Sequence, residues 1–179
     1  MVHAEDDKIV ELLRNGATLE QGFRLLMHKY QEKVYWHIRR IVESHEDTDD
    51  VLQNTFIKAY RGFDNFEGRS SLFTWLYRIA TNEALTHLKN KKSKSTLVLE
   101  EFHTSNSSAL DHDFDEDKAL QKLAIALEGL PEKQRIVFNM RYYDEMSYQD
   151  MSQILDTSVG ALKASYHHAV KKIEAVLLA

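Results

Sequence analysis

Between Arg69 and Lys92 the chain gathers cations and aromatic rings in a pattern suited to nucleic acid. The ionic residues there are Arg69, Arg78, Lys89, Lys91 and Lys92 against Glu83 alone, a local charge of +4 in a chain whose formal net charge is −5. Phe73, Trp75 and Tyr77 are interleaved with Arg78, Asn82 and His87. Rings offer faces on which unstacked bases can lie, and cations can follow a phosphate backbone, so the block reads as a single-strand track. A lone tryptophan in a helix is more often core; a positive patch inside an acidic protein is hard to assign to packing and decides for the track.

A second group lies near the C-terminus. Ser147 precedes Tyr148-Gln149-Asp150 with a carboxylate three residues on, as in a capping box, and Met151, Ile154 and Leu155 give the short helix an apolar face. Asp156-Thr157-Ser158 then makes a turn, with Ser158 the N-cap of a helix carrying Val159, Leu162, Tyr166, Val170, Ile173 and Val176. Two helices joined by so short a turn form a helix-turn-helix, whose second helix enters the DNA major groove. Its exposed face would carry Ser158, Gly160, Ala161, Lys163, Ala164 and His167 near the bases, with Lys171 and Lys172 on phosphates. An ordinary antiparallel helix pair with a solvated lysine face is the rival; the small residues near the helix start favour DNA.

A third group, Asp47, Asp49 and Asp50 with Gln53 and Asn54, lacks the glycine and terminal glutamate of a calcium loop. It reads as a solvated acidic helix start or, functionally, as a partner-binding face. His45-Glu46 has no second histidine at zinc-protease spacing, and no phosphate-loop, dinucleotide or nucleophile-elbow motif is present. We therefore expect no catalytic residue, no metal and no cofactor.

These groups must be carried by helices. Among 179 residues there are six glycines and one proline, too few turn-formers for a sheet protein, and the length admits one domain or two small ones. Apolar residues recur at helical spacing from Leu12 through Leu26 and Tyr30 to Ile41 and Val42, as one long helix or two in series. Residues 44–50 read as an acidic turn, and a helix resumes from Val51 to Phe63. Residues 64–71 read as a loop, and Phe73 to Leu88 as a helix ending in lysines near Lys92. Residues 93–114 turn polar, and from Ser93 to Leu130 eight acids face three lysines, a charge of −5 that marks a tether. Leu120, Leu123, Leu127 and Leu130 open a second helical set, with Pro131 in the first turn of the helix after it. The fold class expected is all-α, two small helical domains joined by a flexible linker, the second holding the helix-turn-helix. The absence of cysteine and of any long apolar run favours the cytoplasm over secretion or membrane insertion.

Here the residues resemble a family, the extracytoplasmic-function (ECF) sigma factors of bacterial RNA polymerase. Asp49-Asp50-Val51-Leu52-Gln53-Asn54-Thr55-Phe56-Ile57-Lys58-Ala59-Tyr60 resembles its polymerase-binding helix, and Phe73-Thr74-Trp75-Leu76-Tyr77-Arg78-Ile79-Ala80-Thr81-Asn82 its minus-ten segment. Residues 130–173 resemble its second domain. The resemblance implies region 2 over residues 1–92, a linker over 93–117 and region 4 over 118–179. It assigns Asp49, Asp50, Gln53, Asn54, Phe56 and Lys58 to the clamp of core polymerase, whose flap would meet the second domain. It assigns the minus-ten strand to Phe66, Arg69, Ser70, Ser71, Thr74, Trp75, Arg78, Asn82, His87, Lys89, Lys91 and Lys92, with residues 66–71 capturing a flipped base. Ser147 and the helix-turn-helix residues named above would read the minus-thirty-five duplex. Partners would be core polymerase, promoter DNA as duplex and melted strand, and an anti-sigma factor, the free protein being a monomer. The chain departs from the family pattern at Thr86 and Lys89, where an Asp and an Arg are usual, and residues 164–170 hold no arginine. A dimeric helix-turn-helix regulator would explain the second domain but not residues 49–82; a helical adaptor without DNA would explain neither basic group.

Overall fold

In a computed structural model, which describes residues 2–98 and 115–178, the acidic N-terminus is already helical: α1 spans Val2–Arg14. Its inner face is Asp6, Ile9 and Leu13, at three- and four-residue spacing. Asp6 occupies a core position because the Tyr30 hydroxyl donates to its two oxygens at 2.7 and 2.8 Å, and Lys29 lies 3.0 Å away. Burial, and then the Asp6 carboxylate, hold the Tyr30 phenol protonated well above its ordinary range, so this donor persists.

Residues 15–18 turn the chain into α2 (Leu19–Val42), which α1 meets at Gly22. A Cβ there would stand 2.9 Å from the Leu13 backbone nitrogen and 3.0 Å from Leu12 Cβ. Helix propensity alone would favour alanine, so the glycine serves close approach. Gly22→Val is expected to destabilise the first unit by about 1–3 kcal/mol through overpacking. Circular dichroism should show an earlier thermal transition, and an unmoved one would mean α1 is not seated there.

Glu43, at φ 65°, ends α2, and Ser44 caps α3 (His45–Gly62) by accepting from the Asp47 N–H at 3.4 Å. The turn expected over residues 44–50 is thus confined to Glu43 and Ser44. The acids after it are the first turn of a helix, where carboxylates complement the dipole. A 3₁₀ turn (Phe63–Asn65) and a loop lead to α4 (Leu72–Val98). Leu26, Val34, Ile38, Val51, Leu76 and Ala80 are buried in this unit. His37 lies in the same interior at 1 % exposure, 2.8 Å from Thr81 Oγ1. The Thr81 hydroxyl donates to the Tyr77 carbonyl at 2.7 Å, so His37 Nε2 is the donor of that pair.

The helix α4 continues six residues past Lys92, because Ser93 to Val98 contain neither glycine nor proline to stop it. Of the rest of the expected linker, residues 99–114 lie outside the described residues, while residues 115–117 are already the start of the next helix, Asp115–Glu128. The chain divides into two units, the first built on residues 1–90 and the second on most of residues 91–179.

The second unit carries α5 (Asp115–Glu128), α6 (Glu132–Tyr142), most of α7 (Tyr148–Leu155) and α8 (Val159–Leu178). Pro131 stands at the N-cap of α6, one residue before the expected place, where its missing N–H costs nothing. Ala126, Leu130, Phe138, Ala169 and Ile173 form a buried cluster, and the Phe138 ring is stacked between Tyr142 at 5.2 Å and Tyr166 at 5.8 Å. Among the described residues there is no strand, and no helix is long and apolar enough to cross a membrane.

Candidate nucleic-acid and partner interfaces

The α7–α8 pair is held by both expected serine caps. Ser147 Oγ accepts from the Asp150 N–H at 3.1 Å, and Ser158 Oγ from the Ala161 N–H at 3.3 Å. The reciprocal half of the capping box differs: the Ser147 hydroxyl itself donates to Asp150 at 2.5 Å. Between the helices Asp156 takes φ 49°, and the Thr157 N–H reaches back to the Ser152 carbonyl at 3.3 Å, closing α7.

Along α8, Leu162, Ala169 and Ile173 face the interior, while Ser158, Gly160, Ala161, Lys163, Ala164, His167, Lys171 and Lys172 are all exposed. Nothing lies within 4 Å of a Cβ built on Gly160, so no packing within the chain demands its smallness. Lys163 Nζ sits 5.8 Å from the Tyr148 ring centroid and the Arg141 guanidinium 5.3 Å, so the ring restrains a cation on the outer face of α8. Arg141 also donates to the Met146 carbonyl at 2.8 Å. Sequence reasoning missed it, since nothing in residues 132–142 marks which basic residue would turn toward Tyr148. Lys172 reaches Gln134 Oε1 of α6 at 3.1 Å.

Along α4, Arg78, Asn82, Lys89, Lys91 and Lys92 are exposed. The aromatic residues of the same block are mostly interior. Tyr77 is 2 % exposed and its ring lies 4.2 Å from that of Phe73. Phe66, expected among nucleotide contacts, is buried: its ring packs 5.2 Å from Trp75 and 5.6 Å from Phe63, beneath the loop. Thr74 is buried as well, at the start of α4, where its N–H donates to Ser71 Oγ at 3.0 Å and the two hydroxyls pair at 2.8 Å. His87 is turned toward α3, its Nε2 3.2 Å from Asp47 Oδ1, an ion-pair distance without hydrogen-bond alignment. Phe66 and Thr74 lie beneath the surface, while His87, Trp75 and Ser70 are half-buried and Arg69 is exposed beside Glu67 at 2.5 Å. Periodicity alone does not separate such roles, because aromatics at helical spacing suit a core and a stacking surface equally.

An open groove of about 740 Å³ runs between α2 and α3. Asp49, Asp50, Gln53 and Phe56 line it on the α3 side, with Ile57 and Tyr60 farther along. Phe56 is its buried floor, whereas Ile57 and Tyr60 are 40 % and 43 % exposed at the lip. Asn54 and Lys58 lie outside the groove; Lys58 Nζ pairs with Glu83 of α4 at 2.5 Å. The opposite wall is Phe23, Met27 and Gln31 of α2, which helical spacing alone does not mark as a surface for a partner.

Among the described residues no group of His, Asp or Glu is arranged to hold a metal ion. Two family models match the chain: Sigma-70 region 2 over residues 26–94 and Sigma-70 region 4 over residues 120–173. The RNA polymerase sigma-H factor of Pseudomonas aeruginosa is 32% identical over 187 residues, covering 99% of this chain and 96% of its own. The ECF RNA polymerase sigma-E factor of Escherichia coli K12 is 32% identical over 179 residues, covering 94% and 92%. Among solved structures, CnrH in complex with the cytosolic domain of CnrY is similar at a TM-score of 0.70 and 20% identity, covering 97% of each chain. The sigma factor RpoE of Bartonella quintana, in complex with the anti-sigma factor NepR, is similar at 0.68 and 22%, covering 87% of this chain and 96% of that one. At such identities these two structures speak for the fold.

Proposed function

This chain belongs to the sigma-70 family, in its extracytoplasmic-function group, and we propose how its surfaces divide the work of starting transcription. The α2–α3 groove takes a helical element of core RNA polymerase, its clamp. Residues 49–60 of α3 span about 16 Å at 1.5 Å per residue, the length of a three-turn partner helix lying along Asp49, Asp50, Gln53, Ile57 and Tyr60. The exposed cations of α4 track the displaced minus-ten strand, and the loop of residues 66–71 holds a flipped base, for which unstacking costs a few kcal/mol. The outer face of α8 reads the minus-thirty-five duplex, its small residues at 160 and 161 letting the helix approach the groove closely, while the second unit as a whole meets the polymerase flap. Binding of the single strand drives opening, so the chain itself hydrolyses nothing. It acts in the cytoplasm as a monomer until polymerase takes it up, and an anti-sigma factor is among its partners.

The observation that carries this reading is the sorting of α8, where every residue assigned to DNA from the sequence lies on the solvent face and Leu162, Ala169 and Ile173 lie beneath. The test is transcription by purified bacterial core polymerase, with and without the protein, on a genomic-fragment library with mapped start sites. Discrete new starts sharing two upstream motifs are expected, and failure to bind core would overturn the reading. A two-fold dimer in solution would speak for a helix-turn-helix regulator instead.

A further inference from the structure

We propose that Arg14, at the end of α1, holds a backbone phosphate of the strand whose base the loop of residues 66–71 captures; this rests on the reading of that loop given above. The helix α1 lies before residue 26, where the region 2 match begins, so the family model assigns it no part in the site.

Arg14 is exposed, and its Nη2 lies 3.8 Å from the point a Cβ on Gly68 would occupy. Gly68 has φ 73°, a left-handed turn that glycine makes without strain, and it leaves the loop backbone bare on the side facing Arg14. The loop's own charges cancel, because Arg69 Nε is 2.5 Å from Glu67 Oε2. A phosphate laid across it would therefore meet an acid as well as a cation. Among the described residues Arg14 has no ion-pair partner, and its planar fork of donors suits a phosphate.

Its position is fixed from behind. The Thr18 hydroxyl donates to the Leu12 carbonyl at 2.9 Å, the Thr18 N–H donates to the Asn15 carbonyl at 2.9 Å, and Gly22 seats Leu12 and Leu13 against α2. Only the arginine side chain has to be ordered when the strand arrives. The competing account is that Arg14 merely complements the C-terminal dipole of α1.

Core polymerase carrying the full chain is titrated with a fluorescent single-stranded oligonucleotide of the non-template minus-ten sequence, taken from the mapped starts. R14Q should bind roughly tenfold more weakly and lose about 0.7 from the slope of log affinity against log salt. R14K should keep most of both. Replacing the phosphates one at a time by methylphosphonate should reveal one position whose neutralisation weakens the wild type and leaves R14Q indifferent. An R14Q variant equal to wild type in affinity and slope overturns the inference while sparing the loop reading, as does weaker binding with the slope unchanged. A wild-type complex that does not hold the oligonucleotide overturns both.

Discussion

Replacing Lys89, Lys91 and Lys92 together by glutamate should reduce open-complex formation by about 10²-fold or more while leaving affinity for core polymerase within about twofold. The three lysines are exposed on α4, and the groove lies between α2 and α3. Each single-strand phosphate contact releases bound counterion, and three such contacts add about 2 to the salt slope. Charge reversal removes that gain and adds repulsion along the same track. The helix itself tolerates glutamate as well as lysine, so the fold should persist, checked by circular dichroism. Permanganate footprinting of the opened strand measures the loss directly. If opening survives the triple reversal, the positive block is a solvated face and the strand is held elsewhere.

The elements that announce themselves in the sequence are those whose inner face is wholly apolar and whose ends are capped by short polar side chains. The α7–α8 pair is of this kind: Ser147 and Ser158 cap where the sequence says they must, and Met151, Ile154 and Leu162 are buried as their spacing requires. The helix α1 is the opposite case. Its inner face includes Asp6, which is stable there because the Tyr30 hydroxyl, 24 residues later, donates to it and Lys29 pairs with it. A carboxylate in a core position breaks the apolar stripe, and no local rule foresees a partner so distant. The acidic helix start at Asp47, Asp49 and Asp50 was legible from their charge, but its boundary was not, since residues 45–50 also look like a turn until Ser44 is seen to cap them.

Within the interfaces the side chains facing water were legible from charge, because lysines and arginines rarely bury without partners. The aromatics were not. Trp75 is half-buried over Phe63 and Phe66, and only coordinates distinguish a ring that supports a loop from one that meets a base. The same holds for His87, whose Nε2 lies 3.2 Å from Asp47 of a neighbouring helix. Burial is a property of the assembled core, and sequence spacing reports it only statistically.

The second large effect is expected at the α2–α3 groove. Asp50→Arg combined with Ile57→Glu should weaken binding to core polymerase by about 10²-fold or more, with transcription lost from every promoter the protein serves. Ile57 offers an apolar anchor at the lip, and Asp50 a charge on the same wall two turns away. Truncating a well-packed anchor commonly costs about 2 kcal/mol, and reversing a rim charge places like against like. Phe56 is the poorer choice, although it forms the floor. It is 5 % exposed, and removing its ring would cost about 3–5 kcal/mol of stability and confuse unfolding with lost docking. Asp50 and Ile57 are exposed, so the double variant should unfold within about 1 kcal/mol of wild type. Affinity is read by fluorescence anisotropy of labelled protein titrated with core. A variant that binds core normally yet fails to initiate would move α3 from polymerase docking to a later step. Its groove would then await a different partner, an anti-sigma helix being the first to try, because an inhibitor that closes the same groove would sense the same two substitutions.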